Sequence, residues 1–344
     1  MRKIFILLIP VLFTAQACNF LFGDLYGNQG TGPKGVFISL DSGSTWEAGK
    51  QLGSKADFYT AGANDIFIEP GRSNNALAAT ITNGVFASDS SGKHWGQLLP
   101  DFAAYATFIN PGNGNEIMAA GARGGLASIL KSIDRGNTWT QIYNEPAGRA
   151  AVTSLVYSPA NSQQLYAGLS TGTALKSGDF GNTWNAITNF ESSVADIAIT
   201  RDGRTVFYLT TLEGVTRTVD GGVTWTEIDL PREPSAPTRY NDIYIDQKDS
   251  TLYVGTNIGL YRSTDAGANW QKLKLPATSK ISDVTAVEVN PQKATQIFAA
   301  IGFTVYRSDD RGISWQTVAL PTGRIISSIA IDPVEPNRIY AGLR

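Results

Sequence analysis

The stretch KSIDRGNTW, residues 131–139, places an aspartate, a glycine and a tryptophan in a pattern that recurs along the whole chain. The repeats, called boxes below, are SLDSGSTW (39–46), SDSSGKHW (88–95), SIDRGNTW (132–139), SGDFGNTW (177–184), TVDGGVTW (218–225), STDAGANW (263–270) and SDDRGISW (308–315). All seven tryptophans of the sequence are the last residue of a box. The repeat therefore decides how the chain is organised.

The spacing of the boxes predicts a β-propeller. Successive box tryptophans lie 41 to 49 residues apart, which is the length of a four-stranded propeller blade. Between two boxes, residues 241–246, 251–255 and 259–263 have the composition of strands, and a fourth strand follows at 270–273. Each box is then the hairpin between the third and fourth strands of its blade.

The two ends of the chain predict how the ring closes. After the last box there are two strands, at 326–332 and 338–343, and around the first box there are two more, at 35–40 and 46–48. Joining the two half blades removes the free sheet edges of an open array. We predict an all-β fold, a single seven-bladed β-propeller of four-stranded antiparallel blades, closed by amino-terminal strands that complete the carboxy-terminal blade.

The residue types of the box suit a tight turn. Its glycine supplies a positive φ, its aspartate accepts hydrogen bonds from N–H groups of the turn, and its tryptophan inserts between sheets. Repetition in every blade favours a structural role over an acid set or a calcium site. Structural box residues are predicted at Asp41, Trp46, Trp95, Asp134, Trp139, Asp179, Trp184, Asp220, Trp225, Asp265, Trp270, Asp310 and Trp315. In the second box Ser90 replaces the aspartate, so we expect that hairpin to be the loosest.

The first residues have the pattern of an export signal. Arg2 and Lys3 precede an apolar run that is too short to span a membrane, and small residues follow before Cys18, the only cysteine. We predict a lipoprotein-type signal peptide at 1–17, a lipidated Cys18 with a flexible tether at 18–34, and the propeller at 35–344. The predicted location is the bacterial cell envelope, with the membrane reached through the lipid on Cys18. Plain cleavage after Ala17, leaving a free thiol, is the alternative.

Composition excludes several classes of function. The formal net charge is −2, so there is no basic face for nucleic acid. His94 is the only histidine, which rules out a zinc site with several histidines, and it stands in a box, where a structural role is expected. No phosphate-binding loop or metal motif occurs. We therefore expect no cofactor, no metal and a monomer.

The boxes resemble those of the Asp-box (BNR) repeat proteins, and the resemblance covers about residues 35–344. That superfamily includes sialidases, xyloglucan hydrolases, sortilin-type receptors and photosystem II assembly factors. The resemblance implies the propeller fold and leaves the function open. Sialidases are six-bladed and carry an F/Y-R-I-P motif that is missing here. Xyloglucan hydrolases use a cleft between two propellers, and this chain has the length of one.

One column of residues is predicted to line the mouth of the central channel. Alignment of the inner strands on their prolines places one residue per blade at the strand entrance: Asp65, Ala106, Ser154, Asp196, Asp242, Ala286 and Ser328. The three aspartates could position a cation or act as acid and base in a glycosidase. Alternatively, each carboxylate caps the backbone of its own loop.

The loops at the same face are predicted to bind a partner. The longest ones span 47–64, 143–150 and 229–240. Arginines anchor carboxylates and phosphates, and tyrosines add contact area. The candidate binding residues are Arg123, Arg149, Arg232, Arg239, Arg324, Tyr59, Tyr105 and Tyr240. Solvated charge with no partner is the alternative.

These observations favour a non-catalytic, envelope-tethered scaffold that binds a protein or a glycan. No catalytic residue is predicted under this interpretation. The alternative is a glycoside hydrolase of the xyloglucanase or sialidase type, with Asp65, Asp196 and Asp242 as its carboxylates.

Overall fold

The computed structural model describes residues 34–52, 58, 60–145, 148–232, 237–276 and 283–344. It confirms the predicted fold: seven β-sheets form the seven blades of one propeller. Within the described ranges, no helix has the length and apolarity needed to span a bilayer. Cys18 and Tyr59 lie outside the described residues.

Blades 1 to 6 each consist of four consecutive antiparallel strands, named here from the inner strand at the channel to the outer strand. The strands are, in blade 1, β4 (Ala63–Ile68), β5 (Ala76–Thr80), β6 (Gly84–Ser88) and β7 (His94–Leu99); in blade 2, β8 (Ala103–Ile109), β9 (Ile117–Arg123), β10 (Leu126–Ser132) and β11 (Thr140–Asn144); in blade 3, β12 (Val152–Ser158), β13 (Asn161–Leu169), β14 (Thr173–Ser177) and β15 (Asn185–Asn189); in blade 4, β16 (Val194–Ile199), β17 (Val206–Thr210), β18 (Gly214–Thr218) and β19 (Thr226–Ile228); in blade 5, β20 (Tyr240–Ile245), β21 (Leu252–Thr256), β22 (Gly259–Ser263) and β23 (Gln271–Leu273); and in blade 6, β24 (Val284–Val289), β25 (Ile297–Ile301), β26 (Thr304–Ser308) and β27 (Gln316–Ala319).

Blade 7 combines strands from the two ends of the propeller, as predicted. Its strands, from the channel outward, are β28 (Ile326–Ile331), β29 (Ile339–Leu343), β1 (Gly35–Ser39) and β2 (Glu47–Ala48). Gly35 pairs with Leu343, and Ser39 pairs with Ile339. The first strand of the propeller thus pairs along its whole length with the last one.

An additional short strand was not predicted. Within the predicted loop 47–64, β3 (Lys50–Gln51) pairs in parallel with β7, the outer strand of blade 1. Phe58 follows it and stacks on Trp95 with 5.3 Å between ring centroids. The segment that leaves blade 7 therefore also covers the outer edge of blade 1, and it buries Trp95 completely.

The box geometry agrees with the predicted turn chemistry. In the third box, Asp134 Oδ1 accepts a hydrogen bond from the N–H of Thr138 at 2.8 Å, and Oδ2 accepts one from its hydroxyl. Ser132 Oγ donates to the same carboxylate and accepts from the N–H of Gly136. Because these donors stabilise the anion, with the Thr138 hydroxyl contributing most, the pKa of Asp134 falls to about 2.

The tryptophans are buried unequally. Trp95 and Trp46 are buried, whereas the other five are half-buried at the blade periphery. In the second box, the hydroxyl of Ser90 accepts a bond from the N–H of His94 at 3.0 Å where other boxes offer a carboxylate. That box has the weakest turn network but the most buried tryptophan.

A basic residue just before the box joins most blades to the next one. Its side chain donates to the backbone carbonyl of the residue after the box aspartate in the following blade. The pairs are Lys131 with Phe180, Lys176 with Gly221, Arg217 with Ala266, Arg262 with Arg311 and Arg307 with Ser42, at 2.8 to 3.3 Å. Blades 7 and 1 have Ile38 and Ala87 at this position. The two junctions on either side of blade 1 therefore lack this contact.

Candidate functional site

The strand order divides the loops between two faces. Alternating antiparallel strands bring the connections from blade to blade to the same face as the hairpins between second and third strands. In blade 2, for example, the N–H of Ala150 in the connection donates to Gly125 O of the hairpin. We call this the connector face. The boxes lie on the opposite face, the box face, where the N–H of Arg135 donates to Asn115 O.

Every inner strand carries an irregularity at the same place. The pairing with the second strand shifts register just before the predicted column residue in all seven blades, as between Ala63 and Asp65 or Tyr240 and Asp242. A bulge of this kind leaves one residue unpaired and changes the direction of the neighbouring side chains. The seven bulges thus set the direction of the side chains at the channel.

The column aspartates bind the neighbouring blade. Asp65 Oδ2 accepts a hydrogen bond from the N–H of Thr107 in blade 2, at 3.1 Å. Asp242 Oδ2 accepts one from the N–H of Val287 in blade 6, at 2.6 Å. These N–H groups belong to inner edge strands, which have no strand beyond them. Asp65 and Asp242 therefore cap the next blade, whereas Asp196 accepts its shortest backbone bond from Ile197 on its own strand, at 2.8 Å, and a longer one from Ile243 of the next blade, at 3.4 Å.

The bulged residue in front of the column makes a second contact of the same kind. In five of the seven blades, its side chain donates to a backbone carbonyl of the next inner strand. The pairs are Asn64 with Tyr105, Thr153 with Val194, Asn241 with Val284, Thr285 with Ile326 and Ser327 with Ala63, at 2.5 to 3.1 Å. Sequence reasoning missed this set, although a polar residue before the column was visible in the alignment.

The electrostatics of the channel are dominated by acidic groups. Burial raises the pKa of Asp65 to about 6, and the charge of Asp196 adds to the effect. Burial also raises the pKa of Asp196 and, together with the charge of Asp196, that of Asp242. Glu288, a fourth carboxyl that the column missed, has a raised pKa for the same reasons, burial first.

Backbone N–H groups already engage the oxygens of the column aspartates. Asp196 and Asp242 lie on neighbouring inner strands, and each accepts a hydrogen bond from a backbone N–H of the next blade, at 3.4 and 2.6 Å. In the described part of the chain, no group of three potential metal-binding side chains has the geometry to hold an ion. Asp65, Asp196 and Asp242 thus join blades 1 and 2, 4 and 5, and 5 and 6, respectively.

Two predicted arginines lie free on the connector face. Arg123 ends β9, and Arg149 follows blade 2 in its connection; both are exposed. A methyl group built on Gly125 would lie 3.8 Å from Cγ of Arg149, so both arginines flank the same hairpin. Among the described residues, neither guanidinium has an acidic partner. Of the predicted binding residues, this pair is available for an anionic ligand.

The other predicted binding residues differ in how far they are buried or bonded within the protein. Arg239 forms an ion pair with buried Asp283 at 3.5 Å, and exposed Arg232 donates to Glu213 O at 3.3 Å. Arg324 is half-buried beside blade 7. Its charge, together with the burial of Lys34, lowers the pKa of Lys34, with burial contributing most. Tyr105 is half-buried on β8.

Tyr240 departs from its predicted place. Its side chain is buried between blades 4 and 5, within a cluster that includes Leu230 and Ile243. Its ring therefore offers no contact area to a partner. The residue two positions before the column residue Asp242 faces the core, which its residue type did not indicate.

Comparison with known proteins places the fold among Asp-box propellers. The family model of photosynthesis system II assembly factor YCF48 matches residues 177–330, less than half of the chain. A sequence search of the curated proteins found no match.

The similar solved structures include two kinds of protein that bear on function. One is a GH74 xyloglucanase from Xanthomonas campestris, with a TM-score of 0.67 and 17% identity over 82% of this chain and 51% of that one. The other is YCF48: a structure bound to D1 peptide has a TM-score of 0.62 and 16% identity over 83% of this chain and 94% of that one, and YCF48 from Cyanidioschyzon merolae has 0.60 and 16% over 82% and 95%.

The chain spans about half the length of the xyloglucanase and nearly the whole of YCF48. At these identities the likeness concerns the fold. The seven boxes, the seven four-stranded blades and these similarities identify the chain as a seven-bladed β-propeller of the Asp-box (BNR) repeat type.

Proposed function

We propose that the chain is a non-catalytic scaffold that binds a protein partner through the arginines of its connector face. The observation that carries this proposal is the exposed pair Arg123 and Arg149. Guanidinium groups bind carboxylates in a bidentate manner, and here no described acidic side chain uses that capacity. YCF48, whose fold is similar and whose length is comparable, has been solved with a D1 peptide, which supports a peptide ligand.

Charge reversal on the connector face tests the proposal. Arg123→Glu with Arg149→Glu should weaken binding of a fluorescein-labelled Glu/Gly peptide with a free carboxyl terminus at least about tenfold. The reason is that charge-assisted hydrogen bonds contribute about 1.5–3 kcal/mol each, and about 1.4 kcal/mol is a factor of ten. Fluorescence anisotropy of the full-length chain measures the affinity.

The matched control is Arg201→Glu with Arg204→Glu, which makes the same change in net charge on the box face. Arg204 is exposed and pairs only loosely with Asp202, at 3.9 Å. This variant should change the affinity less than about twofold. Equal weakening by both variants would mean that only net charge attracts the peptide, and the proposed site would be wrong.

A glycoside hydrolase is the second candidate, because GH74 enzymes share the fold. The engagement of Asp65, Asp196 and Asp242 by backbone N–H groups of the next blade speaks against it. Sialoside, β-glucan and xyloglucan should show no turnover. Turnover that disappears after Asp65→Asn, Asp196→Asn and Asp242→Asn together would establish the channel as an active site.

We also propose that the chain is exported and anchored through a lipid on Cys18, on the basis of the sequence pattern at 1–18. In a bacterial host, the chain should incorporate labelled palmitate and sediment with the membranes. Cys18→Ser should abolish both, because the thiol is the only attachment point in the sequence. A Cys18→Ser chain that still carries palmitate would contradict the anchor.

A further inference from the structure

Of the seven blades that the structure describes, only blade 7 has second and third strands that no turn joins. In blades 1 to 6, a short turn connects these two strands, so they cannot part without disrupting that turn. In blade 7, β29 and β1 come from opposite ends of the propeller and pair from Gly35 with Leu343 to Ser39 with Ile339. This blade can therefore divide into two halves, β28–β29 and β1–β2, while every turn stays intact.

The half formed by β1 and β2 has its own contacts with blade 6. Arg307 of blade 6 donates to Ser42 O, at 2.9 Å. A methyl group built on Gly43 would lie 3.4 Å from the ring of Phe298, and Trp46 belongs to the same core cluster as that ring. These contacts place the first box against blade 6 without using β28 or β29.

Residues 49–52, called the strap below, fasten the same half to blade 1. The N–H of Lys50 donates to Lys93 O, and the N–H of Leu52 donates to Trp95 O, both at 2.7 Å. The strap thus continues from β2 of blade 7 onto the outer strand of blade 1. It holds β1 and β2 on blade 1 from the outside of the ring.

The strap runs too close to blade 1 for a side chain at Gly49. The N–H of Gly49 donates to Val36 O of β1, at 2.8 Å. A methyl group built on Gly49 would lie 2.6 Å from Nε1 of Trp95 and 2.9 Å from Gly92 O. Only a glycine allows the backbone to approach this closely. The tight fit of the strap on the box of blade 1 therefore depends on this one residue.

The other half, β28 and β29, is called the closing pair below and lies between blade 6 and blade 1. Thr285 Oγ1 of blade 6 donates to Ile326 O, at 2.6 Å, and Ser327 Oγ donates to Ala63 O of blade 1, at 2.5 Å. Tyr340 of β29 is completely buried. Neither of these two hydrogen bonds involves the strap, so breaking them leaves β1 and β2 attached.

We propose that the propeller opens at the seam between β29 and β1, which releases the closing pair as one unit while the strap keeps β1 and β2 on blade 1. The opened form has a free edge on β1, five residues long. Unpaired N–H and C=O groups on such an edge accept a strand, so the closing pair can return to the same place. This device does not depend on the proposed partner binding.

Hydrogen exchange of the full-length chain in low concentrations of urea, followed by mass spectrometry of peptic peptides, tests the opening. Proteins open in cooperative units, some of which need less free energy than global unfolding. We expect the amides of the closing pair to exchange as one unit, at least about tenfold faster than those of β13 and β17. The amides of β7, to which the strap is paired, should exchange as slowly as β13 and β17.

Gly49→Ala and Gly96→Ala make the same change at two places beside blade 1. A methyl group built on Gly96 meets no atom within 4 Å, so this control should keep all exchange rates within about twofold of the wild type. In Gly49→Ala, the methyl group pushes the strap away from Trp95. We therefore expect β7 to exchange at least about tenfold faster in that variant, since overpacking costs enough free energy for such a change.

Two results in the wild type would overturn the proposal. If the closing pair exchanges as slowly as β13 and β17, the seam opens only when the whole fold does. If β7 exchanges as fast as the closing pair, the strap does not stay in place. Equal exchange of β7 in Gly49→Ala and Gly96→Ala would contradict the role of the strap. Should Gly49→Ala fail to fold, the comparison of strands in the wild type decides.

Discussion

Trp95→Ala should lower the free energy of unfolding by about 3–5 kcal/mol, the range for large aromatic side chains deleted from a core. Trp95 is completely buried, stacks on Phe58 and donates from Nε1 to Gly92 O at 2.6 Å. Its loss would leave a cavity under β3 as well as between blades. Urea unfolding followed by circular dichroism measures the effect.

Trp184→Ala is the matched comparison, because it removes the same side chain from another box. Trp184 is half-buried, and among the described residues its indole N–H has no hydrogen-bond partner. Its loss should cost about 1–2 kcal/mol, within the ordinary range for substitutions. Equal losses in both variants would show that β3 and Phe58 add nothing to the burial of Trp95.

Arg338→Met should also destabilise the fold by about 3–5 kcal/mol, because it leaves a buried carboxylate without its partner. Arg338 pairs with Asp332 at 2.9 Å, and Asp332 is completely buried. The guanidinium also donates to Ser73 O at 2.7 Å, and Ser73 Oγ donates to Asp332. This cluster joins blade 7 to blade 1, one of the two junctions without the basic contact to the next box.

Two further variants separate burial from charge. Adding Asp332→Asn to Arg338→Met removes the stranded charge and should recover part of the lost stability. Arg204→Met, which breaks an exposed pair with Asp202, should cost less than about 1 kcal/mol. If Arg338→Met is as mild as Arg204→Met, the cluster does not contribute to closing the ring.

The blade count and the closure could be predicted because both rest on local patterns. Each box encodes its own hairpin through residues four positions apart, such as Asp134 and Thr138. The strand-like segments between the boxes can then be assigned to blades in only one way. The half blades at the two ends followed from the same count, and the pairing of Gly35–Ser39 with Ile339–Leu343 confirmed them.

The channel could be predicted only in part, because its contacts run between blades. The column alignment found Asp65, Asp196 and Asp242, but the direction of each side chain depends on a bulge that no residue type signals. Glu288 was not predicted because it lies two residues beyond Ala286, the column residue of its strand. β3 was not predicted because its two residues, Lys50 and Gln51, are too few to show an alternating pattern.

The basic residues before the boxes show a different limit. Lys131 and its counterparts were visible in the sequence as a repeated cation. Their acceptors are backbone carbonyls, which every residue has, so the pattern could not reveal the partner. The structure shows which copy of the repeat each basic side chain contacts, and the repeated sequence does not.

The position of β1 in blade 7 determines where the propeller's first described residues lie. Gly35 pairs with Leu343 at the connector face, so Gly35 lies on the face that carries Arg123 and Arg149. An attachment at the amino end would therefore confine those arginines within a tether length of the attachment surface. Tethering raises the local concentration of one group near another. A weak arginine–carboxylate contact could then be occupied for much of the time, provided that the partner is fixed in the same surface.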